Sequence, residues 1–173
     1  AQPIIMPRLI IRKTGTGSLT LEDSVTVTTT ASFISGNINT SIGKELIFPN
    51  NITYTGASTA SHVVGPVVKI GDDTFVFPVG GPTSLNTVAM SAPVGAASRF
   101  TASYINQNPG SNGYNTALKA GSFGAAAISQ AGYWDVQRLT GVTNVTLTLG
   151  FGTNPYEQYS NLANLKVAHW NGA

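Results

Sequence analysis

No cysteine occurs in the 173 residues, which removes disulfides, thiolate metal ligands and cysteine nucleophiles together. Histidine appears only as His62 and His169, without His-x-x-His or Glu-x-x-His spacing, so a zinc site would need scattered carboxylates. Charge is as scarce: 9 Lys plus Arg and 7 Asp plus Glu make up 9% of the chain, against about 25% in ordinary soluble proteins. The basic residues stand singly apart from Arg12-Lys13 and the net charge is only +2. That leaves no basic stripe to follow a phosphate backbone and argues against nucleic acid as a partner. No apolar run approaches the roughly 18 residues of a membrane span. The chain opens at Ala1 with no Met, charged leader or apolar leader segment, so any signal peptide is expected to have been removed or not included.

What fills the space is small and hydroxylated. Thr, Ser, Asn, Gly and Ala account for 87 of the 173 residues. Threonine favours strands, asparagine and glycine favour turns, and the strong helix formers Glu, Lys, Arg and Met are few, so the composition predicts an all-β protein. A polar but weakly charged surface of this kind is common in exported bacterial surface proteins, an association that composition alone does not turn into a function.

Short apolar pulses recur from Leu19 to Tyr54, including Val25-Thr26-Val27, Phe33-Ile34, Leu46-Ile47-Phe48 and Ile52-Thr53-Tyr54, each bounded by Gly, Asn or Asp. Such pulses suit hairpins or stacked rungs, and the recurrence from Val25 to Leu46 matches a β-solenoid rung of about 20 residues. Texture changes at Gly65-Pro66, which divides the chain into an arm with β-solenoid-like rungs (1–64) and an antiparallel β-sandwich (65–173). Val63 to Val79 reads as a central hairpin turning at Gly71-Asp72-Asp73, with Phe77 buried. Further strands are expected at Val88–Ser91, Arg99–Ile105, Tyr133–Leu139, Asn144–Phe151 and Leu165–Trp170, the alternation of Val145 to Leu149 putting one face on a core. Ala117–Ala131 fits either a short helix or a compact loop. The arm holds the most apolar stretch, Ile4, Ile5, Met6, Leu9, Ile10 and Ile11, while Pro3 and Pro7 keep it from a sheet centre. It is expected either to cap the solenoid in its own subunit, the favoured arrangement, or to add as a strand to a neighbour.

Candidate chemistry is thin. Ser61, His62, Asp72 and Asp73 superficially supply a Ser-His-Asp set, but no Gly-x-Ser-x-Gly elbow accompanies them and the aspartates suit a turn. Glu22-Asp23 also reads as a turn, which leaves Glu45, Asp135 and Glu157 for any carboxylate pair. Asp135 and Arg138, three apart, fall on opposite faces of a strand. Asp72 and Asp73 offer oxygen to calcium, yet no Asp-x-Asp-x-Asp loop is present. The expectation is therefore no enzyme, no metal and no cofactor. Tyr156 and Tyr159, in a Pro-containing loop, are the candidate residues for stacking on a sugar ring. Asp23-Ser24-Val25 resembles an O-glycosylation motif of Bacteroidota.

Four ordered stretches carry a resemblance. Val64-Gly65-Pro66-Val67-Val68-Lys69-Ile70-Gly71-Asp72-Asp73-Thr74-Phe75-Val76-Phe77-Pro78-Val79-Gly80 is followed by Phe100-Thr101-Ala102-Ser103-Tyr104 with Asn108-Pro109. Tyr133-Trp134-Asp135-Val136-Gln137-Arg138 and Leu165-Lys166-Val167-Ala168-His169-Trp170-Asn171-Gly172 complete the set. Together they resemble a module of large cell-surface proteins of Bacteroidota, and the first half is similar to the β-solenoid-like lead-in such proteins carry. The resemblance implies export by the type IX secretion route and a non-enzymatic role as an adhesin stalk or a subunit of a surface filament or layer. Its implied partners are other surface domains or copies of itself, with a carbohydrate-binding accessory domain as the alternative. Tyr133, Trp134 and Trp170 are the expected core anchors. The module usually continues past its His-Trp-Asn-Gly, whereas this chain stops at Ala173, which reads as a fragment or one unit of a longer protein.

Overall fold

A computed structural model describes residues 3–14, 17–117, 128–151 and 166–170. The protein is nearly all β, arranged as several sheets. In chain order the strands are β1 (Ile4–Arg12), β2 (Leu19–Thr20), β3 (Val25–Ser35), β4 (Ile38–Asn39), β5 (Leu46–Phe48), β6 (Thr53–Thr55) and β7 (Val63–Val64). They continue as β8 (Val67–Ile70), β9 (Phe75–Phe77), β10 (Val88–Met90), β11 (Arg99–Ile105), β12 (Tyr133–Thr140) and β13 (Leu147–Leu149). The large sheet runs β1-β3-β5-β8-β11-β12 with β6 also on β3, and two small sheets run β13-β10-β9 and β2-β4-β7.

The first four strands of the large sheet are parallel. Ile4, Val25, Leu46 and Val67 lie side by side at a constant interval of 21 residues, as do Ile5, Thr26, Ile47 and Val68. Each pass around the chain thus lays one strand against the preceding one, and β2, β4 and β7 stack in parallel in the same way. Side chains bind the passes together at a similar spacing. Ser24 Oγ donates to Glu45 (2.9 Å), Asn50 Nδ2 to Asp72 Oδ1 (2.9 Å), Ser61 Oγ to the Gly36 carbonyl (2.9 Å) and Thr40 Oγ1 to the Pro66 carbonyl (2.8 Å). The abundant Ser, Thr and Asn therefore form a ladder across the passes, which charge would disturb by like-sign repulsion. β11 then pairs antiparallel with β8, and β12 antiparallel with β11.

Inside, Val25, Leu46, Val67, Phe48, Phe77, Val88 and Phe100 belong to one buried cluster. Phe33, Phe48, Tyr54, Phe75 and Phe77 follow one another with ring centroids 5.1 to 5.9 Å apart. Such contacts add about 0.5–1.5 kcal/mol beyond area burial. The large sheet runs across residues 64 and 65, because β8 pairs with β5 on one side and β11 on the other.

Several expectations are corrected. Val63 to Val79 is not a hairpin: β8 lies in the large sheet, whereas β9 pairs with β10. Gly71-Asp72-Asp73 is instead a corner between sheets. Its polar groups bind the corner below, with the Asp72 N–H on Asn50 Oδ1 (3.2 Å), and Gly71 has φ 140°. A Cβ there would collide with Asn50, so only glycine fits this close approach. Residues 166–170 form no strand, and Trp170 is 41% exposed rather than a core anchor. Apolar residues occupy both phases of that stretch, so no single face drives it onto a sheet. Tyr133 and Trp134 are half-buried, and Trp134 Nε1 donates to the Asn86 carbonyl at 3.0 Å. The strand expected over Asn144–Phe151 is confined to β13. Of the Ala117–Ala131 segment, residues 118–127 lie outside the described residues.

Candidate functional sites

The Ser-His-Asp set does not assemble into an acyl-transfer site. Ser61 and His62 are fully buried. His62 Nδ1 lies 2.9 Å from the Ser58 carbonyl and Nε2 2.7 Å from the Gly81 carbonyl, while its backbone N–H donates to Asn37 Oδ1. Both ring nitrogens are thus engaged with backbone, and the Ser61 hydroxyl is turned to Gly36. Asp72 holds Asn50, and Asp73 holds Lys69. The residues tie corners of successive passes to one another.

Lys69 lies in β8 of the large sheet. Its side chain is only 1% exposed, and its ammonium donates to the Pro49 carbonyl and to Asp73 Oδ2, both at 2.8 Å. It also sits 5.0 Å from the Phe75 ring centroid, a favourable placement for a cation over an aromatic face.

Among the described residues the remaining acids do not converge either. Glu22 pairs with Lys44 on the surface at 2.8 Å, which lowers the Glu22 pKa and raises that of Lys44, in each case chiefly through their hydrogen bond. Glu45 accepts from Ser24 and from the Gly43 N–H, and Asp135 from Gln137. Arg138 bonds the carbonyls of Val142 and Thr143 instead of Asp135. Glu157, Tyr156 and Tyr159 lie outside the described residues. Among the described residues no three His, Asp or Glu side chains gather as metal ligands, and no helix is long and apolar enough to cross a membrane. Ser24, in the glycosylation-like motif, has its hydroxyl engaged with Glu45.

Two surface features were not legible in the sequence. A groove of about 670 Å3 is bordered by Thr53, Tyr54, Phe75, Val76, Ala89 and Thr148. Burial pushes the Tyr54 hydroxyl up to about 12, so it stays neutral there. The second feature is an aromatic cluster beside the turn Pro109–Asn112: Tyr114 stacks edge-on against Tyr133 (5.1 Å) and Trp170 (5.5 Å). Asn112 Nδ2 donates to the Tyr133 hydroxyl (3.0 Å) and to Gln107 Oε1 (3.2 Å). The pairing of Tyr114 with Trp170, 56 positions away, leaves no local periodicity that would reveal it.

The arm residues Ile4 to Ile11 lie in β1, at one edge of the large sheet. β1 pairs with β3 of its own chain along its whole length. Ile11 is buried and Met6 and Leu9 half-buried against the core, whereas Ile4, Ile5 and Ile10 are exposed. No family model, curated protein or solved structure matches the chain.

Proposed function

We propose that the chain is a non-enzymatic, extracellular structural module of a cell surface, an adhesin stalk or a subunit of a surface filament or layer. In this reading the parallel passes through β8 are a short β-solenoid, and antiparallel β11 and β12, which continue its large sheet, make a β-sandwich with β9, β10 and β13. The observation that carries it is the 21-residue interval joining Ile4, Val25, Leu46 and Val67, reinforced by hydroxyl and amide bonds from pass to pass. Such a stack is held by continuous main-chain pairing. Its polar side chains serve neighbouring passes, not a substrate. The four motifs similar to Bacteroidota surface modules support location outside the cell and type IX export. Labelling of intact cells by an antibody to the chain tests the placement: signal without permeabilisation supports it, and signal only after permeabilisation rejects it. Steady turnover of any polysaccharide or peptide by the purified chain would reject the non-enzymatic part.

A second reading, a carbohydrate-binding accessory domain, is supported by the Tyr114-Tyr133-Trp170 cluster with the Asn112 and Gln107 amides beside it. Aromatic faces flanked by planar polar groups suit a sugar ring. Glycan binding that is lost in Trp170→Ala but kept in Tyr54→Phe would favour this reading. Binding that depends on Tyr156 or Tyr159 would move the site to that loop.

A further inference from the structure

We infer that the chain self-associates head to tail, the edge of β1 that no other described strand pairs in one copy joining in parallel the corresponding edge of β12 in the next. This inference rests on the structural-module reading and names the partner as a second copy. β1 and β12 are the two ends of one sheet, nine and eight residues long. β12 is antiparallel to β11, which is antiparallel to β8, which is parallel to β5, β3 and β1. The two edges therefore run the same way, and simple translation of a second copy continues the sheet with one strand direction.

The side chains match on both faces. Toward the core, Met6 and Leu9 at one end and Trp134 and Val136 at the other are half-buried and packed on the cluster. Each edge is thus an unfinished end of the core that the other would cover. On the outer face β1 carries Ile5 (70% exposed), Arg8, Ile10 (52% exposed) and Arg12, and β12 carries Asp135, Gln137 and Leu139 (45% exposed). In the register that sets Arg8 opposite Asp135, Leu9 lies opposite Val136 and Ile10 opposite Gln137, with Leu139 diagonal to Ile10. An antiparallel β1–β1 pair centred on Ile10 would set Arg8 against Arg12 of the second copy, and like charges directly opposed across strands are unfavourable. Charge thus favours the head-to-tail arrangement over that one, and its repetition builds an open filament instead of a closed dimer. Pro7, with the register shift beside it, removes a donor near the middle of β1, so Arg8 to Arg12 is the segment that pairs.

The absence of cysteine makes the test clean. Chains carrying Ile10→Cys alone and chains carrying Gln137→Cys alone are mixed and mildly oxidised, and the double variant is oxidised by itself. The inference expects a disulfide dimer in the mixture, with neither single variant linking to itself, and a ladder of oligomers from the double variant. Sedimentation of the unmodified chain should show mass rising with concentration, Arg8→Glu should weaken the association several-fold, and Asp135→Arg in the same chain should restore it. Linking of Ile10→Cys to itself, or a monomer at every concentration with no cross-link, would overturn the inference. A monomer would leave the structural-module reading standing as a stalk, whereas that reading falls on labelling or turnover.

Discussion

Lys69 and Asp73 form an ion pair in which the ammonium lies 2.8 Å from each carboxylate oxygen, with the lysine side chain 1% and the aspartate 21% exposed. The hydrogen bond goes to Oδ2, and Oδ1 is in Coulomb contact only. The pair pins the corner after β8 to Pro49 on the pass below. Asp73→Ala leaves a buried ammonium without its counter-charge and should cost about 3–5 kcal/mol. Lys69→Met with Asp73→Ala, which removes both charges, should cost markedly less. Urea midpoints of the two variants check the difference; equal losses would mean the pair contributes only through packing.

Phe77→Ala should destabilise by about 3–5 kcal/mol. The ring is fully buried and stacks edge-on with Phe75 at 5.1 Å. Denaturant unfolding measures the loss, and an unmoved midpoint would contradict its place in the core.

How much of this was legible divides along the reach of the interactions. Arg99–Ile105 coincides with β11, and β12 covers the whole expected span Tyr133–Leu139 and runs one residue further to Thr140, because β-branched and aromatic residues bounded by turn formers carry a local signal. The 21-residue interval between paired strands was visible in the likeness of Val25-Thr26-Val27 to Leu46-Ile47-Phe48. The fate of Gly71-Asp72-Asp73 was not, since the same residues serve a hairpin or a corner. Asn50, a side chain one pass earlier, makes it a corner. Likewise no local pattern marks Lys69 as buried, because its burial depends on Asp73, Pro49 and Phe75 converging on it. The tyrosines chosen for a loop, Tyr156 and Tyr159, lie outside the described residues, while the aromatic cluster that is described joins Tyr114 to Trp170 through tertiary contact.

Deleting residues 1–11 should expose the β3 edge and part of the core, because β1 covers both in the same chain. The expected product is a destabilised, aggregating protein, measured by thermal melting and light scattering. An equally stable, soluble product would contradict that role.

Two pH effects follow from the shifts. Tyr54 is raised by burial to about 12, above the ordinary value of about 10. The stabilisation from its neutral form is complete below the ordinary value and is lost as pH rises through the raised one. Tyr54→Phe should flatten that alkaline decline. Glu22 is lowered by Lys44, so its contribution is present above the ordinary carboxylate range and fades as pH falls through the lowered value. Both side chains are exposed, so the effect should be small and salt-screened. A carboxyl titration by NMR should move up toward the ordinary value in Lys44→Ala.

Stacked, cross-bonded passes are proposed to make this chain a mechanical module. Pulling single molecules from both ends measures it most directly. The expected result is one cooperative rupture of the described core, at a force that drops in Gly65→Val, a change that drives a side chain into Thr40 of the neighbouring pass. Smooth extension at low force, insensitive to that substitution, would contradict the account.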